Sequence, residues 1–153
     1  MIDPRGPRFA ATLTAVLLAA TLLTGSGWLL ALAAVLFATG ALLGVQHTPY
    51  AWLFRHLVRP RLAPPTDLED ARPPRFAQSV GLGFALVGLV GAVTGIAPLF
   101  YVATGMALGA AFLNAAFGYC LGCEVYLLLR RVRPSRGATP TVITTPSNEE
   151  IPA

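Results

Sequence analysis

Four long apolar runs dominate the chain and leave few folds open to it. They cover residues 9–23, 28–45, 76–93 and 99–129. A helix needs about 20 predominantly apolar residues to cross the hydrocarbon core of a bilayer, with a range of about 17–25. The first run lies at the lower limit, and the fourth is long enough to tilt or to project beyond the lipid. We therefore predict an all-α integral membrane protein with four transmembrane helices.

The composition agrees with this class of protein. Apolar residues make up 55% of the chain and charged residues 12%, and the mean hydropathy is +0.65. Such values are typical of membrane proteins and not of soluble domains. The net charge of +4 does not indicate a nucleic-acid partner, because the arginines bracket the apolar runs and form no patch beside a soluble core. We expect the lipid bilayer to be the main partner and nucleic acid not to be one.

The basic residues predict the orientation of the helices. All eleven are arginines: two precede the first run, five lie between the second and third, and four follow the fourth. The short connections 24–27 and 94–98 carry no charge. Because arginine-rich flanks stay in the cytoplasm, we predict a multi-pass protein of the cell (inner) membrane. Both termini and the loop 46–75 are then cytoplasmic.

These runs divide the chain into two parts. Residues 1–133 form the predicted four-helix transmembrane domain. Residues 134–153 are rich in Pro, Ser and Thr and contain few apolar side chains. Such a composition is typical of disorder, so we predict a disordered cytoplasmic tail.

An internal repeat indicates how the four helices arose. Residues 3–10 and 70–77 agree at six of eight positions, and each block precedes an odd-numbered helix on the predicted cytoplasmic side. A weaker match pairs residues 43–46 with 121–124, although low-complexity sequence can align by chance. The repeat predicts two helical hairpins duplicated in parallel, related by a pseudo-twofold axis along the membrane normal.

The clearest candidate site lies near the end of the fourth run. Cys120 and Cys123, the only cysteines, are followed directly by Glu124. On a continuous helix, all three side chains would fall within one narrow sector. A carboxylate in a membrane helix is costly and is most often functional. We therefore predict that Cys120, Cys123 and Glu124 carry the chemistry, close to the cytoplasmic end of the helix.

Three polar residues are expected to support this site. The weaker repeat match places Gln46 and His47 at the depth of the cysteines, so that they could meet near the axis between the hairpins. Asn114 belongs to a stripe of small residues spaced by four, which is typical of helices that pack closely in lipid. We predict that Asn114 forms interhelical hydrogen bonds there.

Three interpretations of the cysteine pair stay open. The first is thiol–disulfide exchange or sulfur handling, with Glu124 moving protons for the thiols. The second is a binder or transporter of a soft metal or a sulfur species, with Cys120, Cys123 and His47 as ligands. The third is a non-catalytic membrane subunit whose cysteines are small buried side chains. Any cofactor and enzymatic activity stay open too.

Three sequence blocks carry a resemblance to a known family. They are D-P-R-G-P-R-F-A at the N-terminus, L-E-D-A-R-P-P-R-F-A-Q in the centre, and L-N-A-A-F-G-Y-C-L-G-C-E-V-Y. Together they resemble an uncharacterised bacterial family of small integral membrane proteins, grouped as a domain of unknown function, over the chain up to about Arg133. The resemblance implies a fold but no established activity. It also implies a soluble thioredoxin-like or rhodanese-like partner, and a homo-oligomer stays open.

Overall fold

α-Helices account for nearly all of the regular structure. The computed structural model describes residues 2–63 and 68–132, so the predicted tail 134–153 lies outside the described residues. The predicted all-α fold is confirmed for this part of the chain, where the one strand-like pairing is an isolated bridge between Ile2 and Glu69. Its α-helices are α1 (Arg5–Thr24), α2 (Gly27–Leu42), α3 (Pro49–Leu53), α4 (Arg72–Thr94), α5 (Ala97–Phe117) and α6 (Leu121–Val132).

Three of these helices, α1, α4 and α5, are long and apolar enough to cross a membrane. The fourth apolar helix, α2, is shorter, with 16 residues. It ends at Leu42 and not at residue 45 as expected, because Gly44 adopts a φ of +97° that a helix cannot contain. The helix lengths and their apolar character are those of a membrane protein.

The fourth apolar run is two helices, which corrects the expectation of one helix over residues 99–129. Gly118 ends α5 in the left-handed conformation, with a φ of +69°. Its N–H donates to Asn114 O at 3.0 Å, and the Tyr119 N–H donates to Leu113 O at 3.3 Å. The first of these is the 5→1 bond of an αL helix ending, which glycine favours because it has no Cβ to clash. The chain then turns and begins α6 at Leu121.

The core forms where helices from opposite halves of the chain meet. α1 packs chiefly against α5, α2 against α4, and α4 also against α5. Leu18, Leu30 and Ala85 are fully buried at the centre. The contact between α4 and α5 is close because a Cβ on Gly91 would lie 2.5 Å from the Phe100 nitrogen.

Two arginines connect the halves. Arg8, at the start of α1, donates from Nε and Nη2 to the carbonyls of Ala115 and Ala116 at the end of α5, at 3.2 and 3.1 Å. Arg75, at the start of α4, donates in the same way to Ala41 and Leu42 at the end of α2, at 2.7 Å each. The last carbonyls of a helix lack intrahelical partners. Each half therefore caps a helix of the other.

The helix that follows each hairpin packs against the first helix of its own half. In the first half, Phe9 of α1 contacts Phe54, the residue directly after α3, with ring centroids 5.8 Å apart. α6 contacts α4 through Phe76 and Tyr126, at 5.6 Å. The chain continues from α3 as a π-helical turn, Phe54–Val58, and a 3-10 turn, Arg59–Arg61.

The weaker repeat match is corrected by these contacts. It aligned Gly44 with Gly122, but Gly122 lies inside α6. The residue of the second half that resembles Gly44 is Gly118, since both have a positive φ just after the second helix of their hairpin.

Candidate functional site

A cavity of about 1040 Å³ opens between the two halves, at the end of the bundle where α1 and α4 begin. Its interior is lined by residues several turns inside the helices, among them Thr14, Phe37, Phe84 and Met106. Its wall is formed by Gln46, Asn114, Cys120 and Cys123. Its mouth is lined by charged residues, namely Asp3, Arg5, Arg8, Arg55, Arg59 and Glu69. It is the natural place to look for a ligand or substrate.

The two cysteines lie at the N-terminus of α6. Cys120 directly precedes the helix and Cys123 is in its first turn. Their sulfur atoms are joined in a disulfide, and their Cα atoms are 5.2 Å apart, within the usual range for such a bond. The Glu124 N–H donates to Cys120 O at 3.1 Å, which makes Cys120 the capping residue. The expected position was inside one long helix. The structure instead places the pair at the start of a separate helix.

This position has chemical consequences for the sulfur atoms. The free N–H groups and the dipole at a helix N-terminus stabilise negative charge. A thiolate, and not a thiol, is the nucleophile in thiol–disulfide exchange. Once the disulfide is reduced, the N-terminus of α6 favours the anionic form of Cys120, which directly precedes the helix.

Glu124 differs from the two cysteines in its exposure and in its place relative to the cavity. Its side chain is exposed and does not line the cavity. Cys120 and Glu124 keep the helical spacing that was expected, since the Glu124 N–H donates to Cys120 O. A proton-transfer role for Glu124 stays a prediction.

Of the three supporting residues, two line the cavity and one does not. Gln46 and Asn114 line the cavity together with the cysteines. His47 does not; it is exposed and its Nδ1 lies 2.8 Å from Leu43 O. Within residues 2–63 and 68–132, no group of three or more His, Cys, Asp or Glu side chains is placed to hold a metal ion. The two sulfur atoms thus have no third ligand in this part of the chain.

Sequence reasoning missed Arg8 as a residue of this site. Besides capping α5, its guanidinium lies 4.0 Å from the position that a Cβ on Gly118 would take, two residues before Cys120. Arg8 also lines the cavity. It therefore holds the turn from which the cysteines project. The signal was present, because Arg8 and Arg75 are matched arginines of the repeat.

Gly122 holds the other side of the same turn. A Cβ on this glycine would lie 2.6 Å from both Cα and Cβ of Ala77 on α4. Such a distance is far below van der Waals contact, so only glycine lets the first turn of α6 approach α4 this closely. The cysteines are consequently fixed between Arg8 on one side and Ala77 on the other.

The first half has a different residue at the equivalent helix start. Thr48 caps α3, with its Oγ1 accepting a hydrogen bond from the Ala51 N–H at 3.2 Å. Thr48 and Ala51 precede Phe54 by six and three residues, just as Cys120 and Cys123 precede Tyr126. Hydroxyl caps of this kind stabilise helix starts. The second half thus carries a cysteine pair where the first has an ordinary cap.

The phenol of Tyr50, on α3 beside the cavity, has a shifted pKa. Burial raises the pKa of the Tyr50 phenol, while a hydrogen bond with Thr14 acts in the opposite direction. Thr14 itself is buried on α1 and lines the cavity. Tyr50 is therefore a neutral hydrogen-bonding group that joins α3 to α1 next to the interior of the cavity.

A comparison with protein families places the chain. The family described as "Domain of unknown function (DUF4395)" matches residues 2–131. The family resemblance expected from the three sequence blocks is thereby confirmed. No curated protein and no solved structure matches the chain.

Proposed function

The chain belongs to this family, and we propose that it is a membrane protein that exchanges thiols and disulfides through Cys120 and Cys123. One observation carries the proposal: the two cysteines form a disulfide at the N-terminus of α6, on the wall of a cavity that is open at the arginine-rich end. A disulfide that is accessible and placed at a helix start is of the labile kind, suited to exchange.

The exchange balances with a dithiol protein as the co-reactant. One thiolate of the partner attacks a sulfur atom of the Cys120–Cys123 disulfide, and the other sulfur leaves as a thiolate. The second thiol of the partner then attacks the mixed disulfide. The partner is oxidised to a disulfide, and Cys120 and Cys123 are reduced to two thiols, with transfer of two electrons and two protons. The start of α6 stabilises Cys120 as the leaving thiolate.

The proposed partner is a soluble thioredoxin-like or rhodanese-like protein. The cavity mouth contains residues from the segment between the hairpins, including Arg55 and Arg59, and is open to a protein approaching from that side. Tyr119, beside Cys120, is exposed there as well. A partner that offers a reactive cysteine on its surface can therefore reach the pair without unfolding of the bundle.

The proposed topology has α1, α2, α4 and α5 as four membrane spans in two parallel-duplicated hairpins. α2 is about 24 Å long at 1.5 Å per residue, so the bilayer must thin locally or the flanking apolar residues must complete the span. The separation of the arginines supports cytoplasmic termini in an inner membrane. The matched contacts of Arg8 and Arg75 support the duplication.

Neither alternative has an observation of its own. A soft-metal site needs ligands beyond the two sulfur atoms, and His47 does not line their cavity. A purely structural role for the cysteines does not explain why they line a cavity. Both alternatives nevertheless predict distinct outcomes in the experiment that tests exchange.

That experiment is a thiol-trapping redox titration of the full chain in native membranes, with and without a reduced thioredoxin. We expect a defined midpoint potential and faster alkylation of Cys120 than of Cys123 after reduction. A reduced thioredoxin that lacks its second cysteine should form a mixed disulfide with Cys123 of the oxidised wild type, with Cys120 as the leaving thiolate. The matched control carries Thr48→Cys and Ala51→Cys in a Cys120→Ser/Cys123→Ser background, which moves the pair to the equivalent helix start.

Four outcomes distinguish the interpretations. Exchange by the wild type but not by the relocated pair supports the proposal. Equal exchange by both would mean that any accessible pair suffices and would contradict a dedicated site. Cysteines that stay unreactive at every potential would support the structural role. Protection of both thiols by zinc, without exchange, would support the metal site.

A further inference from the structure

The cavity has a second property that involves neither sulfur atom. We propose that it binds an amphiphilic anion, that is, an acyl chain carrying a carboxylate or phosphate head group. The chain would lie in the apolar interior and the head group among the arginines of the mouth. This inference goes beyond thiol exchange, since it requires only the shape and charge of the cavity.

The mouth carries an excess of positive charge. Four arginines and two acidic residues line it, a difference of two positive charges. Asp3 is engaged locally, because its Oδ1 accepts the Arg5 N–H at 3.0 Å. Arginine binds carboxylates and phosphates through paired N–H groups. A head group with one or two negative charges therefore complements this mouth.

The arginines differ in how far they are committed to the protein. Arg5 donates to Ala63 O at 3.1 Å, and Arg8 caps α5. Arg55 and Arg59 are exposed and follow α3 on the π-helical and 3-10 turns, where they face the same opening. We assign the direct contact with the head group to Arg55 and Arg59, while Arg5 and Arg8 supply a positive field.

The interior of the cavity is apolar and deep. Phe37, Phe84 and Ala107 line it, along with Met106. Met106 lies eleven residues before the end of α5, which is about 16 Å along the helix axis at 1.5 Å per residue. An inorganic anion would leave this volume empty. Each methylene group that enters it is removed from water, which favours binding about fourfold before the entropic costs.

The size of the cavity agrees with a ligand of this class. About 1040 Å³ is at the upper end of the volumes of about 300–1,000 Å³ typical of ligand pockets. The charged opening and the apolar interior also match the charged head group and the apolar chain of an amphiphile. A free fatty acid and a phospholipid with a single chain share this chemistry, and the experiment distinguishes them.

The test is equilibrium binding to the delipidated full chain in a non-ionic detergent. The probes are radiolabelled palmitate and radiolabelled lysophosphatidic acid, with hexadecanol and inorganic phosphate as competitors. We expect saturable binding of at least one probe, weak competition by hexadecanol and none by phosphate alone. The stronger of the two probes identifies the head group.

Variants locate the bound molecule. Arg55→Gln/Arg59→Gln is expected to weaken binding about tenfold or more, since it removes both direct head-group contacts. The matched control is Arg61→Gln/Arg131→Gln, which removes two exposed charges that do not line the cavity and should change binding less than twofold. Met106→Trp, which reduces the volume for the chain, should weaken binding with both arginines intact. Unchanged thermal unfolding midpoints show that each variant is folded.

Other results would overturn the proposal. They are equal loss in the two double-arginine variants, hexadecanol competing as well as palmitate, or no saturable binding of either probe by folded protein. Binding is measured on the oxidised wild type, in which neither cysteine is a free thiol, so a failure of thiol exchange and a failure of amphiphile binding are separate outcomes.

Discussion

Gly122 decides how closely the cysteine-bearing turn approaches α4. We predict that Gly122→Ala destabilises the protein by about 1–3 kcal/mol, the usual cost of overpacking, because its Cβ would lie 2.6 Å from Ala77 Cα and Cβ. Displacement of α6 should also change the alkylation rate of the reduced cysteines. Thermal unfolding in detergent and maleimide labelling measure the two effects.

A second glycine provides the control for this prediction. Nothing lies within 4 Å of the position that a Cβ on Gly105 would take. Gly105→Ala should therefore be neutral or slightly stabilising, since alanine favours a helix over glycine. If both substitutions lowered the unfolding midpoint equally, the close contact with Ala77 would not be the cause.

The sequence predicted the cysteine pair but not its surroundings. Cys120 and Cys123 were recognisable from their spacing alone. Gly118 lies within the fourth apolar run, and apolar periodicity cannot reveal that one glycine adopts a left-handed conformation. This single φ of +69° ends α5 and places Cys120 at a helix start. The division of the fourth run into two helices thus depends on one residue.

At the scale of helices, the two arginine caps have different effects. We predict that Arg8→Gln and Arg75→Gln each destabilise the fold by about 1–2 kcal/mol, because each removes two hydrogen bonds from a charged donor. Only Arg8→Gln should alter cysteine alkylation, because the carbonyls that Arg8 binds directly precede the turn at residues 118–120.

The same measurements distinguish positioning from simple stabilisation. If Arg8 acted only on stability, Arg8→Gln and Arg75→Gln would both lower the unfolding midpoint. The alkylation rates of the reduced cysteines would then be the same in the two variants. Arg8→Lys keeps the charge but loses the fork of donors. Arg8→Lys should therefore keep the positive charge at the cavity mouth but still change the alkylation rate of Cys120.

The repeat predicted that the two halves correspond, but not how they pair. Each arginine could have capped the second helix of its own hairpin, and no residue pattern excludes this. The pairing across halves depends on packing, with α1 against α5 and α2 against α4. Tertiary packing of this kind is not encoded in the spacing of individual residues.

For the whole molecule, the arginine distribution makes a topological prediction. In a Cys120→Ser/Cys123→Ser background, an impermeant maleimide should label Ser26→Cys and Ala97→Cys from outside intact cells. It should label His56→Cys, which is exposed at the arginine-rich end, only after lysis. The reason is that arginine-rich segments are retained in the cytoplasm. Labelling of His56→Cys in intact cells would reverse the proposed orientation.

The class of the molecule was more predictable than its site. Apolar runs predict apolar helices almost directly, since lipid leaves a backbone few other structures. They predict helix ends less well, because the fourth run is two helices and α2 is shorter than expected. The cavity has no comparable signal, because its lining comes from six helices and the segment between the hairpins. Its walls become neighbours only when the halves assemble.

The exchanged arginine caps also bear on the origin of the molecule. If the two halves arose by the proposed duplication, a single ancestral hairpin with the same geometry would have left its own second helix uncapped. It could have satisfied those carbonyls only by pairing with an identical copy, each arginine binding the other chain. Fusion of the two genes would then have turned a symmetric dimer into one chain. Only after fusion could the two capping positions diverge, one keeping Thr48 and the other acquiring Cys120.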